Sequence, residues 1–124
     1  MKKFLSILLL AVALLPAFAA KLPASRSVYT LRPEDPGALY FTPENYGFKA
    51  DGKSDVSDAL QQAINDVKIK YNFGILYIPE GEYRITKTIL IPSNIRVIGY
   101  GKKRPVIYLA DNTPGYQDQR NYMV

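Results

Sequence analysis

The stretch "GILYIPEGEYRI", residues 74–85, sets the reading of the whole chain. Ile75, Leu76, Tyr77 and Ile78 make a short apolar run that Pro79 ends. Glu80-Gly81 supplies a corner, and Tyr83-Arg84-Ile85 opens a second run. Runs this short, rich in β-branched and aromatic residues and punctuated by Pro and Gly, predict strands. The same grammar continues in "TILIP" (88–92), "IRVIGYG" (95–101) and "VIYLA" (106–110), separated by Thr86-Lys87, Pro92-Ser93-Asn94 and the 101–105 linker. Almost everything after Gly74 is therefore expected to be β. Such spacing suits a sandwich, a barrel or a solenoid of stacked coils. The corners, built from Pro and Asn with little Asn-Gly or Asp-Gly, favour the solenoid over hairpins.

Working backwards, the period changes from two to 3.6. Val56, Ala59, Leu60, Ala63, Ile64 and Val67 recur at spacings of three and four, while Ser57, Asp58, Gln61, Gln62, Asn65 and Lys68 fill the other face. The pattern predicts an amphipathic helix over 55–71. Ser54 or Asp55 can accept a hydrogen bond from its first free N–H groups, and Asp58 meets the positive end of its dipole. Lys68 and Lys70 occupy the last turn, and Asn72 and Gly74 follow where a left-handed backbone is easiest.

Immediately before the helix, "GFKADGKS" (47–54) matches the phosphate-cradling pattern, with Gly47 followed after four residues by Gly52-Lys53-Ser54. Its context argues against a nucleotide. A phosphate loop is delivered by a buried strand, and here "FTPENY" precedes it, with Pro43, Glu44 and Asn45. Asp51 also puts a carboxylate where a polyphosphate would sit. The stretch is better read as an Asp51-Gly52 turn leading into the helix. Asp51, Asp55 and Asp58 could alternatively form a calcium site or a catalytic carboxylate set, although turn and cap geometry accounts for them without a ligand.

The first residues belong to another class of segment. Lys2-Lys3, an apolar run from Phe4 to Leu15, Pro16 and Ala17-Phe18-Ala19 read as a secretory leader over 1–19, cleaved before Ala20. The apolar run falls short of the roughly 18–20 residues that span a bilayer, so no membrane anchor is expected. A secreted or periplasmic location follows as an expectation. The chain has no Cys and no His, so disulfides and thiol chemistry are excluded and stability must come from packing. Removing the two leader lysines leaves 14 basic against 11 acidic residues, a weak and dispersed +3 that does not argue for nucleic acid. Lys102-Lys103-Arg104 is the one basic cluster, read as a solvated loop ahead of an anion site. Residues 20–44, with Pro23, Pro33, Pro36 and Pro43, read as an extended arm with short candidate strands at Val28 to Leu31 and Leu39 to Phe41.

Taken in order, "NYGFKADGKSDVSDALQQAI", "GILYIPEGEYRI" and "ILIPSNIRVIGYG" resemble the N-terminal part of the pectate lyase-like, rhamnogalacturonase and epimerase-type right-handed parallel β-helix superfamily. That family opens with a D-G-x-x-D turn and a capping helix, then a strand ending in Y-I-P-x-G-x-Y and a P-S-N-x-x-x-x-G-x-G coil. The likeness covers about residues 45–110. It departs at Asn72-Phe73-Gly74-Ile75, where the family often has Gly-Gly-Gly-Thr, and at Val56, where it often has a second Asp. The resemblance implies a mainly β fold, the start of a right-handed parallel β-helix with an N-terminal capping α-helix. It places the cap and first coils in residues 45–124, as the front piece of a longer protein, since repeat arrays need caps at both ends.

The resemblance also implies a parent protein acting on polysaccharide, expected to be a glycoside hydrolase, with a polysaccharide lyase as the lesser alternative, on a pectin- or glucan-like substrate. Such enzymes flank the scissile bond with two carboxylates, about 5–5.5 Å apart for retention or about 6.5–9.5 Å for inversion. The family keeps these in later coils, so no catalytic residue, cofactor or metal ligand is assigned to this chain. Glu80 and Glu82 could approach each other around Gly81, although a solvated turn accounts for them. Tyr77, Tyr83, Tyr100 and Tyr108 could stack on sugar rings, with core or ladder packing favoured instead. A non-catalytic glycan-binding or spike-like module and an unrelated small β domain stand as alternatives.

Overall fold

The computed structural model describes residues 26–118 and 120–124. The expected leader at 1–19 and the first part of the arm, 20–25, lie outside the described residues. Within them the chain runs β1 (Ala38–Tyr40), α1 (Pro43–Tyr46), α2 (Ser57–Tyr71), β2 (Gly74–Pro79), β3 (Glu82–Ile85), β4 (Ile95–Tyr100) and β5 (Val106–Leu109). It is mainly β, with two short sheets whose ladders are all parallel. One has the order β1-β2-β4 and the other pairs β3 with β5. From β2 onward successive strands thus alternate between the sheets: β2 and β4 share one, β3 and β5 the other. Gly74 sits opposite Ile95 and Glu82 opposite Val106, so β4 returns beside β2, and β5 beside β3, after just over twenty residues. Hairpins cannot produce that arrangement, because parallel neighbours require a crossover.

Side chains alternate across each strand, which settles what is buried. Leu76 and Ile78 of β2 point inward and meet Phe41, Tyr83, Ile85 and Ile95. Helix α2 closes over the same core with Leu60, Ala63, Ile64 and Val67, packing on β1, β2 and β4. Burial of Leu60, Ile64 and Val67 contributes about 1.5–3 kcal/mol each. The helix ends as the sequence predicts: Asn72 adopts the left-handed conformation and its N–H reaches the Lys68 carbonyl at 2.9 Å.

Five expectations need correction. The helix begins at Ser57, with Val56 formally at the cap and no side-chain cap bond. Asp55 still serves the first turn, accepting from the Ser57 N–H at 2.9 Å, whereas Ser54 is turned onto Asp51. Ser57, placed on the polar face by the pattern, is fully buried. Its hydroxyl donates to Asp55 and accepts the Thr86 N–H at 2.8 Å, so a buried polar side chain links the helix start to the end of β3.

"TILIP" is not a strand. Its backbone is engaged elsewhere: the Gln61 carboxamide accepts the Leu90 N–H at 2.8 Å and donates to the Leu90 carbonyl at 3.0 Å, and the Ile89 N–H reaches Met123. A helix side chain thereby imitates the neighbouring peptide group that a strand would provide. Val28 to Leu31 is likewise no strand, making only a single bridge from Tyr29 to Tyr100. Finally, the arm gives way at Pro43 to the one-turn helix α1, with Pro at its start, Glu44 in its first turn and Gly47 in the left-handed conformation closing it.

Candidate functional site

The phosphate-loop pattern dissolves in the structure. Gly47 belongs to the end of α1, and Phe48 turns inward to stack on Phe41 with ring centroids 4.1 Å apart. The backbone N–H groups of Lys53 and Ser54 do converge on one carboxylate oxygen, each at 2.8 Å, but it is that of Asp51. Those two donations, Ser54 first, hold the Asp51 carboxyl down at about 2. The anion in this cradle is the loop's own.

The other sequence candidates are also drawn apart. Asp55 binds Ser57 and Thr86, while Asp58 pairs with Lys87, so the three aspartates serve three separate contacts. Among the described residues no group of three or more His, Cys, Asp or Glu side chains is placed to hold a metal. Glu80 accepts the Lys103 N–H at 2.9 Å, whereas Glu82 lies against Gly52 on the far side of the corner. They do not form a facing pair. In the basic cluster, Lys103 is fixed through that main-chain bond and Arg104 leans on the Arg26 carbonyl.

The tyrosines divide by strand register. Tyr83 is 1% exposed, its hydroxyl donating to the Pro79 carbonyl at 2.8 Å, and burial pushes its phenol up to about 12. Tyr83 therefore presents no ring to a ligand. Tyr108 donates to the Gly52 carbonyl. Tyr77 and Tyr100 lie on the outward face of the three-stranded sheet, where they join two tyrosines that sequence reasoning did not single out. Tyr40, opposite Tyr77 in the ladder, stacks on it at 5.4 Å; Tyr29 and Tyr100 meet Tyr77 edge-on at 6.4 and 6.3 Å. Arg32 covers the Tyr40 ring at 4.1 Å. The Tyr40 hydroxyl donates to the Pro33 carbonyl at 2.6 Å and accepts the Asp35 N–H at 3.1 Å. The arm therefore lies over these rings, and Tyr77 is only 5% exposed. Burial, with Asp35 nearby, raises its pKa.

One register step away the same face is open. Ala38, Ile75 and Arg96 stand side by side across β1, β2 and β4, and an open cavity of about 800 Å³ lies there, with Asp35, Phe73, Asn94 and Arg96 in its lining. Phe73, in the turn between α2 and β2, is 69% exposed. Arg96 is exposed and, among the described residues, in no ion pair. Asp35 has one carboxylate oxygen on the Gly37 N–H at 2.9 Å. The combination has a chemistry. A guanidinium can take a carboxylate through two parallel hydrogen bonds, an amide can bind hydroxyls, and an exposed aromatic ring can lie against the C–H face of a pyranose. The signal for this group was present in the sequence as alternation: Arg96 lies two and four residues before Ile98 and Tyr100. Only pairing with Ile75 brings it beside Phe73.

Comparison with known proteins matches residues 43–123 to the family described as rhamnogalacturonase A/epimerase, pectate lyase-like. Among curated proteins the chain is 37% identical over 80 residues to alginate lyase 7 of Azotobacter vinelandii, covering 59% of this chain and 9% of that protein. It is 35% identical over 75 residues to the mannuronan C5-epimerase AlgE2 of the same organism, covering 55% of this chain and 7% of the relative. A pre-neck appendage protein of Bacillus phage B103 is 32% identical over 71 residues, covering 57% and 8%. The chain thus spans less than a tenth of the length of these relatives. No solved structure gives a significant match.

Proposed function

The chain belongs to the rhamnogalacturonase A/epimerase, pectate lyase-like family, and on that premise we propose that it forms the opening of a right-handed parallel β-helix acting on an acidic polysaccharide. In this reading α2 is the end cap and β2 to β5 the first coils of a longer solenoid. The two parallel sheets, filled alternately along the chain, support it. Residues 1–19 export the protein, and the groups that perform the chemistry are carried by later coils. The role of this chain is to start the scaffold and to present the outward face of its sheet.

Relatives named as a lyase and an epimerase favour elimination or C5 inversion over the hydrolysis expected from sequence. Alginate and mannuronan are polymers of uronic acids, so every sugar carries a carboxylate. The observation that carries the substrate class is the open cavity that brings Arg96, Asn94 and Phe73 together on the outward face. Titration calorimetry with mannuronate oligomers and neutral mannose oligomers tests it. Binding should favour the uronate, weaken with salt, and fall about tenfold in Arg96→Ala, the size of one charge-assisted hydrogen bond. Equal binding of both oligomers, or an Arg96→Ala variant that binds as the parent does, overturns the reading.

The phage appendage relative favours a second reading, a non-catalytic structural module on the same scaffold. It is separated by turnover. In the enzyme reading, a protein extended by its later coils converts the glycan; in the structural reading, it does not.

A further inference from the structure

Asp35 lines two openings, not one. Beside the Arg96 cavity it borders a second, of about 580 Å³, which the N-terminal arm shapes with Arg32, Glu34 and Tyr40. Arg32 is exposed and, like Arg96, in no ion pair among the described residues, although Glu34 and Asp35 follow it closely in the chain. The two openings therefore hold one guanidinium each, and a single carboxylate is common to both linings.

Arg32 is oriented in advance. Its guanidinium carbon lies 4.1 Å from the centre of the Tyr40 ring. That ring is itself fixed, by stacking on Tyr77 at 5.4 Å and by hydroxyl bonds to the Pro33 carbonyl and from the Asp35 N–H. A guanidinium laid on an aromatic face keeps its N–H donors at its own rim, so stacking positions the cation without spending its hydrogen bonds. Part of the side-chain entropy that holding an anion would cost is already lost in the unbound chain. Asp35 has the opposite use. One of its oxygens accepts the Gly37 N–H at 2.9 Å, and the other, without a partner among the described residues, can accept a sugar hydroxyl while repelling a carboxylate.

We propose that Arg32 is a second carboxylate-binding position of the glycan site, so that a uronate chain is held at two points, by Arg96 and by Arg32, with a hydroxylated edge over Asp35. A cation, a carboxylate and a second cation suit a polymer whose acidic groups recur at intervals with neutral hydroxyls between them. Once one carboxylate is held, the second binds as part of the same molecule, at a high effective concentration. A single uronic acid has no second carboxylate to offer. Chain length is then the property that the two arginines read together. The proposal rests on the glycan reading of the Arg96 cavity and sets a minimum length for the ligand.

Chemical-shift titrations of the full chain, read at the Asn94 amide in the first cavity, test it with mannuronate and with its hexamer. Arg32→Ala should weaken the hexamer about tenfold, the size of one charge-assisted hydrogen bond, and the single sugar less than about twofold. Raising salt should narrow the gap between parent and Arg32→Ala on the hexamer. Arg96→Ala should weaken both ligands. If Arg96→Ala binds the hexamer as the parent does, or the parent binds no uronate, the glycan reading fails and the second position fails with it. If Arg96→Ala weakens the hexamer but Arg32→Ala does not, or Arg32→Ala weakens the single sugar equally, the glycan reading stands and the second position is overturned. A loss in Arg32→Ala that salt leaves unchanged marks a displaced arm, not an anion contact, and overturns it too.

Discussion

The two faces of the β1-β2-β4 sheet are built from the same strands and behave as different materials. The inward face is aliphatic: Leu76 and Ile78 interdigitate with the α2 stripe, and Phe41 and Tyr83 fill the space beside them. The outward face is aromatic and charged: Tyr40, Tyr77 and Tyr100 carry hydroxyls, and Arg32 and Arg96 stand beside them. The inward face is closed by a helix that buries four apolar side chains from α2 against it. The outward face is closed only in part, by an irregular arm held through ring contacts and single hydrogen bonds. Stability belongs to the first face, and the surface open to ligands belongs to the second.

Substitutions on neighbouring residues test this division. Leu76→Ala removes a fully buried side chain from the inward face and should lower unfolding free energy by about 2–5 kcal/mol in chemical denaturation. Ile75→Ala, one residue earlier and half-buried on the outward face, should cost clearly less. Equal losses would mean that the arm makes the outward face a second core. Next in size, Tyr40→Phe deletes the hydroxyl that joins Pro33 and Asp35 and should cost about 0.5–1.5 kcal/mol. Its mark should be faster proteolysis within the arm, with protection of the helix and strands retained.

The smallest effect is expected from the Asp51 loop, which belongs to neither face. Its carboxyl is held at about 2 in the folded chain, below the ordinary value of 3.8, by the Ser54 and Lys53 N–H groups. A depressed folded pKa stabilises above the unfolded value and loses that contribution as pH falls through the folded one. Melting temperature should therefore decline from pH 3.8 down to about 2 more steeply in the parent than in Asp51→Asn. Parallel profiles for the two proteins would show that the loop makes no contribution.

Much of the inward face was legible in the chain. A stripe at spacings of three and four can only be one side of a helix, and its buried members are Leu60, Ala63, Ile64 and Val67 as the period requires. Four of the five apolar runs after Gly74 are strands within a residue or two of their expected bounds. The exception, 88–92, has the composition of a strand but meets a helix where its partner strand would be, and Gln61 supplies the bonds instead. Ser57 was misplaced for a related reason. Periodicity ranks polar residues as exposed, and it does not register that Asp55 and Thr86 satisfy this one inside.

The candidate site was far less legible, because each of its members is ordinary alone. Arg96, Asn94 and Phe73 come together only through the parallel register of β2 with β4, and Tyr29 and Tyr40 reach Tyr77 only because the arm folds back over the sheet.

Local chemistry set the helix, the turns and most strands of this protein, since hydrophobic period, capping and left-handed Asn or Gly act within a few residues. Which strands became neighbours and which face each tyrosine took were decided by long-range pairing, which fixes side-chain neighbours more than twenty residues apart and leaves no mark on any one stretch of sequence.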